Sequence, residues 1–309
     1  MQESEEALIR LLSEEFNKSF QSGVEIGIGD DAAVISKFSP KLVATVDMAV
    51  EDIHFRRDWS TPFQIGAKIT TASLADIFAM GGQPNYLLVA LALSANENSQ
   101  VIAEIAQGVR DVADRFDVIV IGGDLSKSEK MVLSITALGE ITATPIKRGG
   151  AKIGQKIYLS ALPGLSAAGL SILNRSLDRP RYVVEAHLNP KLTKPEKLIQ
   201  CATAMCDISD GLSTDALHIA QASNVDLNFS RDLISKSNDF KDLSELATEL
   251  NEDVFKWILN GGEDHFFIAT VDPIVASDDL GIYVGMVEAG SGKVLLDGAE
   301  ISSQGYQHF

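Results

Sequence analysis

Basic residues are scarce in this chain of 309 residues: 26 Lys and Arg stand against 43 Asp and Glu, a formal charge of −17. A field of that sign repels a nucleic-acid backbone and an anionic membrane surface, so neither is expected as a partner. Cysteine is nearly absent. Cys201 and Cys206 sit five apart, which is no CxxC metal or redox pair and calls for no oxidising compartment. Both read as small buried apolar residues. The five histidines, His54, His187, His218, His265 and His308, are scattered. With no HExxH run and no Cys/His cluster, a zinc site is not expected. Long apolar runs are missing too. The longest, residues 77–95, is broken by Gly81, Gly82, Pro84 and Asn85 and cannot span a bilayer. The opening MQESEEALIRLLSEEF reads as an acidic amphipathic helix over residues 5–20, not as a leader peptide. A cytoplasmic location is expected.

What is present is alternation of helix and strand. LVATVD reads as a strand ending at Asp47. TPFQIGAKITTASLADIFAMGG reads as a helix stopped by Gly81-Gly82. YLLVALAL, DVIVIGGD and MVLSITALGEI read as strands, the first two buried. Between them Ser99 is expected to cap a helix with an apolar stripe at Ile102, Ile105, Val109, Ala113 and Phe116. RGGAKIGQK reads as a junction, dividing the chain into domains 1–146 and 147–309. In the second half Pro163-Gly164 opens a helix, a loop rich in Arg, Pro and Asn follows, and AMCDISDG turns into a helix from Gly211. A polar stretch near residues 235–244, a helix DVFKWILN, a strand HFFIATV and a hairpin over IYVGMVEAGSGKVLLDG complete the reading. The fold class is α/β (α+β).

The chemistry is carried by acids at the ends of apolar runs. VEIGIGDD, VIVIGGD and WILNGGED pass from apolar residues through glycine into acid, and LVATVD does so without glycine. Acids so placed stand at the rim of a core, where Mg²⁺ carboxylates stand; Asx turns and helix caps are the other use of such segments. Asp76 is the only charged side chain between Lys68 and Glu97. A carboxylate on an apolar helix needs a counter-charge, supplied by a divalent cation or, two turns away, by Lys68. CDISDG sets Asp207 and Asp210 three apart around Ser209, to converge on an ion, to cap the following helix through Asp210, or both. GGAKIGQK lacks the Gly-Lys-Ser/Thr ending of a P-loop, GIGDDA is not GxGxxG, and no GxSxG occurs. A nucleotide would therefore be held by acids with Mg²⁺ and a few cations, of which Arg148 and Lys127 lead.

These segments, taken in order along nearly the whole chain, resemble the thiamine-monophosphate kinase family. That family shares a superfamily with aminoimidazole ribonucleotide synthetase, selenophosphate synthetase and a hydrogenase-maturation protein. GIGDDAAVI, VDMAVEDIHF, SLADIFAMGGQP, IGGDLSKS, RGGAKIGQKIY, PGLSAAGL, DISDGLSTD, GGED and the terminal GYQHF carry the likeness. The resemblance implies a two-domain fold like that of the synthetase, and a homodimer whose N-terminal sheets pair. It implies in-line transfer of phosphate from ATP, as co-substrate, to thiamine phosphate, assisted by several Mg²⁺ ions and without a phosphoenzyme. It places Mg²⁺ on Asp31, Asp47, Asp76, Asp124, Asp207 and Asp210, with Asp30 and the Thr45-Val46 backbone close by. It places ATP near Gly123, Asp124, Arg148 and Ser209, and the acceptor near His54, Glu263 and Tyr306. No residue is assigned as a general base, because the attacking phosphate oxygen is already ionised. Phosphoryl transfer asks for alignment and charge neutralisation rather than covalent help.

The chain departs from the family pattern at Val46, where Thr is usual, at Leu125 and Lys127 in the GGDTTR segment, and at His265 and Phe267 in GGEDYEL. Lys127 cannot form the bidentate fork of Arg. Two further readings fit the acids: a superfamily synthetase acting on another phosphorylated or carbonyl acceptor, and a non-catalytic nucleotide- and metal-binding paralogue.

Overall fold

The computed structural model describes residues 24–26, 30–36, 38–94, 96–302 and 305; the helix expected over residues 5–20 lies outside them. In the first half, β1 (Val24–Ile26), β2 (Ala33–Ile35), β3 (Lys41–Val50), β4 (Gln83–Leu93), β5 (Ile119–Lys127) and β6 (Val132–Ile141) form one sheet in the order β1-β2-β3-β6-β4-β5. Only the β4–β5 pair is parallel. Two helices, α1 (Pro62–Ala79) and α2 (Ser99–Arg115), pack together on one face. Thr61 and Gln64 close a capping box at the start of α1, and Pro62 sits in its first turn, where a missing N–H costs nothing. The cap of α2 is Asn98, not Ser99: its side chain accepts from the Gln100 amide. The stripe of α2 faces α1 as expected, with Ile105, Val109 and Ala113 buried.

β5 is a strand, but not a buried one. It is the sheet edge, and every residue in it is exposed. The helices cover one face of the sheet, and on the other Val46, Met48, Tyr86, Leu88 and Ile119 stand 62%, 57%, 46%, 38% and 59% exposed. An apolar run signals burial, but here it lies on a sheet edge and an uncovered sheet face.

The second sheet contains β7 (Lys156–Leu159), β8 (Ala202–Asp207), β9 (Asp226–Phe229), β10 (Phe267–Val271), β11 (Ile282–Glu288), β12 (Val294–Leu296) and β13 (Ala299–Glu300), ordered β13-β12-β9-β11-β7-β10-β8. β11 and β12 are therefore not the expected hairpin. β9 lies between them, antiparallel to β11 and parallel to β12. The stretch expected as a loop holds α4 (Arg181–Leu188) and α5 (Glu196–Cys201) after α3 (Leu165–Asn174). The polar stretch near 235–244 joins α7 (Arg231–Ser235) to α8 (Phe240–Glu249), beyond α6 (Leu212–Ser223). Leu243, Leu246 and Ala247 hold α8 to the core by their helical spacing. The expected helix before GGED is α9 (Val254–Asn260), capped by Asp253.

The central strands of this sheet serve two cores. Tyr158, Met205, Phe267 and Ala269 point into the core of the first half, while Ile157, Leu159, Ala204, Cys206 and Ile268 point into that of the second. Alternation along β7, β8 and β10 thus pins one half against the other. Cys206 is buried as expected, whereas Cys201 is only half-buried.

Candidate active site

Three carboxylates from distant parts of the chain meet between the halves. Asp31 lies just before β2, Asp76 lies in the last turns of α1, and Asp207 ends β8. One oxygen from each falls within 4.8 Å of the others. β3 adds two residues on its inward face. Thr45 donates its hydroxyl to Oδ2 of Asp76 at 2.7 Å. Asp47 follows two positions on, with a buried Oδ2 that no group among the described residues satisfies. Oδ2 of Asp31 is orphaned in the same way. Buried carboxylate oxygens without partners are costly, and so many in one place ask for a cation. Burial, then neighbouring charge, raises Asp31 to about 8, although Arg148 pulls the other way. Burial and Asp207 raise Asp47 to about 6. Burial, followed by Asp47, Asp207 and Asp31, pushes Asp76 well above the usual carboxylate range.

Arg148 braces one side. Its Nε donates to Oδ1 of Asp31 at 2.8 Å, and its Nη2 donates to the same oxygen. Its backbone N–H points at Asp30, which also accepts from the Asp31 amide. Burial disfavours the guanidinium charge, yet Asp31, with Cys206 and Asp215, together outweigh this and raise its pKa.

The turn after β8 is organised by a residue that the sequence reading did not single out. Asp215, in the first turn of α6, accepts from the amides of Ser209, Asp210 and Gly211 at 3.1, 3.2 and 3.1 Å. Asp210 does not cap the helix; the cap position is Gly211, without a side-chain bond. An acid in the first turn after a glycine loop is the signal that could have marked Asp215. Ser209 acts through its backbone here, donating its N–H to Asp215 while its carbonyl accepts from the Glu263 amide at 2.8 Å.

The segment after α9 zips onto that turn. A Cβ on Gly262 would lie 2.3 Å from the Ser209 carbonyl oxygen, so only glycine fits. Glu263 and His265 then take left-handed backbone, φ 66° and 52°, which few non-glycine residues adopt. The result sends three side chains three ways. Glu263 meets Lys68 Nζ of α1 at 2.9 Å, with His187 Nδ1 at 3.5 Å from the same oxygen. Asp264 accepts from the Gly164 and Ser166 amides at the start of α3. His265 Nδ1 lies 3.2 Å from Oδ2 of Asp207. Burial opposes the charge on Glu263, but Lys68 and His187 hold its pKa below the usual value. Lys68 therefore serves Glu263 rather than Asp76. Neither Lys68 in this pairing nor His187 was legible from spacing, since both partners lie more than 70 residues away.

Other expected residues are placed apart from the cluster. Asp124 is exposed on β5, accepting from Ser126 Oγ at 2.9 Å, and its register with Ala90, Ser134 and Met48 puts it on the open face of the sheet, opposite to Asp47. Gly123 precedes it on the same edge. Val46 is likewise outward. His54 closes the turn after β3: its Nδ1 accepts from the Val50 amide at 3.0 Å, and its own amide donates back to the Val50 carbonyl. Tyr306 lies outside the described residues. Its neighbour Gly305 presses on the site, where a Cβ would stand 2.3 Å from both the Asp210 carbonyl oxygen and Thr214 Oγ1.

Residues 29–141 match the family model of the AIR synthase related protein, N-terminal domain. A curated thiamine-monophosphate kinase of Mycobacterium tuberculosis is 35% identical over 292 residues, covering 93% of this chain and 86% of that one. The enzyme of the same name from Aquifex aeolicus is 31% identical, covering 91% and 92%. A solved structure described as AaThiL complexed with AMPPCP and TMP superposes with a TM-score of 0.89 at 30% identity, covering 100% of this chain and 99% of that one. With relatives this similar over this much of their length, the chain belongs to the thiamine-monophosphate kinase family.

Proposed function

We propose that the chain transfers the γ-phosphoryl group of ATP to thiamine phosphate, giving ADP and thiamine diphosphate. The observation that carries this reading is the convergence of Asp31, Asp76 and Asp207, with two orphaned carboxylate oxygens, beside a separate carboxylate, Glu263. Two anionic reactants must be brought together, and such a cluster suits Mg²⁺ better than a softer ion because all its donors are oxygens. Asp31, Asp47, Asp76 and Asp207 would hold Mg²⁺, with Asp30 and Thr45 beside them and Asp210 on the adjoining turn. Bound there, Mg²⁺ supplies neutralisation of phosphate charge on both reactants. The chain's own groups fix where that charge is met. Thr45 and His265 orient two of the carboxylates, Arg148 braces Asp31, and Asp215 shapes the Ser209–Gly211 turn for the nucleotide. Glu263, His54 and Tyr306 are assigned to the acceptor, and Arg148, Ser209, Gly123 and Asp124 to ATP.

Asp124 and Gly123 reach a site only if a second copy covers the open sheet face. The same face carries Val46, Met48, Tyr86, Leu88 and Ile119, an apolar surface of the kind that pairs. A homodimer through this face is therefore part of the proposal, as are the division at residues 146 and 147 and a cytoplasmic location, where ATP is supplied. No helix among the described residues is long and apolar enough to cross a membrane.

The test is direct. Purified protein with Mg²⁺, ATP and thiamine phosphate should yield thiamine diphosphate and ADP in equal amounts, read by chromatography. No diphosphate, or ADP formed without it, overturns the reading. A superfamily synthetase would instead consume ATP with another phosphorylated or carbonyl acceptor.

A further inference from the structure

Two hydroxyls and two acids meet where α1 packs on β3. On the strand, Thr45 and Asp47 are two apart and share the inward face. On the helix, Ser73 and Asp76 are three apart and so lie side by side on one surface. The strand hydroxyl serves the helix acid: Thr45 donates to Asp76 Oδ2 at 2.7 Å. The helix hydroxyl lies against the strand acid. Ser73 Oγ comes 3.5 Å from the Ile135 carbonyl oxygen, and Ile135 is the residue of β6 paired with Asp47. Burial raises the Asp47 carboxyl, and a hydrogen bond from the Ser73 hydroxyl draws it back. The contacts are therefore crossed, with each element supplying the hydroxyl that the other element's acid uses.

Ser73 is fully buried, and a polar group so placed needs a partner. Its hydroxyl also lies 3.1 Å from the Ile69 carbonyl oxygen, but that carbonyl already has the Ser73 amide as its helical partner. A hydroxyl has one hydrogen to give, and a carboxylate is a stronger acceptor than a carbonyl. Ser134 donates to the Asp47 carbonyl at 2.9 Å and so holds that backbone. The Asp47 side-chain torsion is what remains to be fixed, and the Ser73 hydroxyl is placed to fix it while Oδ2 stays without a partner among the described residues.

We propose that Ser73 is a positioning residue that aims Asp47 into the acidic cluster, the counterpart of Thr45 at Asp76. The inference rests on the cation reading above and not on the identity of the acceptor. The two hydroxyls set the spacing of the two carboxylates from strand and helix directly, with no loop between them. Ser73 touches neither reactant and acts only through Asp47.

Mn²⁺ is the probe, its free ion counted by electron paramagnetic resonance, on the full chain with a non-hydrolysable ATP analogue and no thiamine phosphate. Ser73→Ala removes the hydroxyl with little change in volume and should raise the Mn²⁺ dissociation constant by roughly fivefold or more. Ser73→Cys keeps a side chain of similar shape with a far weaker donor and should behave alike; it carries the test if the alanine variant misfolds. The decisive comparison is made in Asp47→Ala, where Asp31, Asp76 and Asp207 remain to hold the ion. There the further change Ser73→Ala should leave the Mn²⁺ constant within about twofold, because nothing is left to aim. An equal loss in that background would mean that Ser73 works by packing alone, and overturns the inference. So does wild-type Mn²⁺ affinity in both Ser73 variants. Either result leaves the kinase reading standing, whereas a wild-type chain that binds no Mn²⁺ overturns the cation reading and the inference together.

Discussion

Thr45 and Asp76 are 31 positions apart in sequence, yet the threonine hydroxyl lies 2.7 Å from the aspartate Oδ2. That hydrogen bond fixes the carboxylate but does not neutralise it, and Asp47, Asp207 and Asp31 repel it further. Asp76→Asn keeps an oxygen for Thr45 and removes the repulsion. The metal-free variant should melt at or above the wild-type temperature. Mg²⁺ with nucleotide should raise the wild-type melting temperature by mass action and the variant's much less, and turnover should nearly vanish. Thermal melts with and without Mg²⁺-ATP, beside a turnover assay, decide it; full activity in Asp76→Asn removes the metal assignment.

Asp215 satisfies three amides of the turn that carries Ser209 and Asp210. Asp215→Ala strands those donors in a buried site, at a cost of about 2–3 kcal/mol after relaxation. Asp215→Asn retains one acceptor oxygen and should lose less. Urea unfolding of the two variants should rank them in that order, and equal stability of both with wild type would show that the turn holds without the carboxylate.

His187 gives the protein a pH dependence of known sign. Burial first, then Lys68, lowers its pKa from 6.5 to about 4. The folded form therefore stays neutral while the unfolded chain takes up a proton below 6.5. The stability it contributes is whole above that value and is lost as pH falls towards 4. Between pH 7 and pH 5 the loss from this one group is about 2 kcal/mol. In His187→Phe the fall in unfolding free energy over that interval should be smaller by about this amount. Parallel acid limbs for the two proteins would contradict it.

Wild-type protein should elute with a light-scattering mass twice the 33.2 kDa of the chain. Leu88→Glu puts a charge on the open sheet face, where in a single chain it meets solvent at little cost. In a dimer through that face it is buried beside its own copy and should yield a folded monomer with lost turnover, because Asp124 then has no partner site to complete. A variant that stays dimeric places the interface elsewhere.

Arg148 is braced against Asp31 and carries the only guanidinium in the described cluster. Arg148→Ala should weaken the ATP analogue by about 1.5–3 kcal/mol while leaving thiamine phosphate binding near wild type. Calorimetry on a variant shown to be folded measures both, and unchanged nucleotide affinity would reduce Arg148 to a structural brace.

The acids of the cluster could be read from sequence because each breaks a local rule: a charge on an apolar helix, or an acid closing an apolar run. Asp31, Asp76 and Asp207 do converge. Their partners obey no such rule. Lys68 and Glu263 are ordinary charges until 195 residues of chain bring them together, and Asp215 resembles any acid in a first helical turn. The hairpin expected from residues 282–298 failed for a related reason. Its strands have the right pattern and spacing, but β9 offers each of them a better neighbour, and insertion of a strand from elsewhere leaves no local mark. β5 shows the converse, since its apolar run does form a strand, but at the sheet edge and exposed throughout, a position that local pattern does not mark.

The left-handed turns at Glu263 and His265 fasten three anchors to three consecutive residues. One anchor meets Lys68 of α1, one holds the start of α3, and one reaches Asp207. The three anchors follow one another without an intervening residue, so a shift of one is passed directly to the next. Under the proposed assignment of Glu263 to the acceptor and Asp207 to Mg²⁺, any effect of the acceptor on cation affinity is returned by the cation, by the same factor. On that assignment the two substrates are linked through residues 263–265, and their binding is to be measured as a pair.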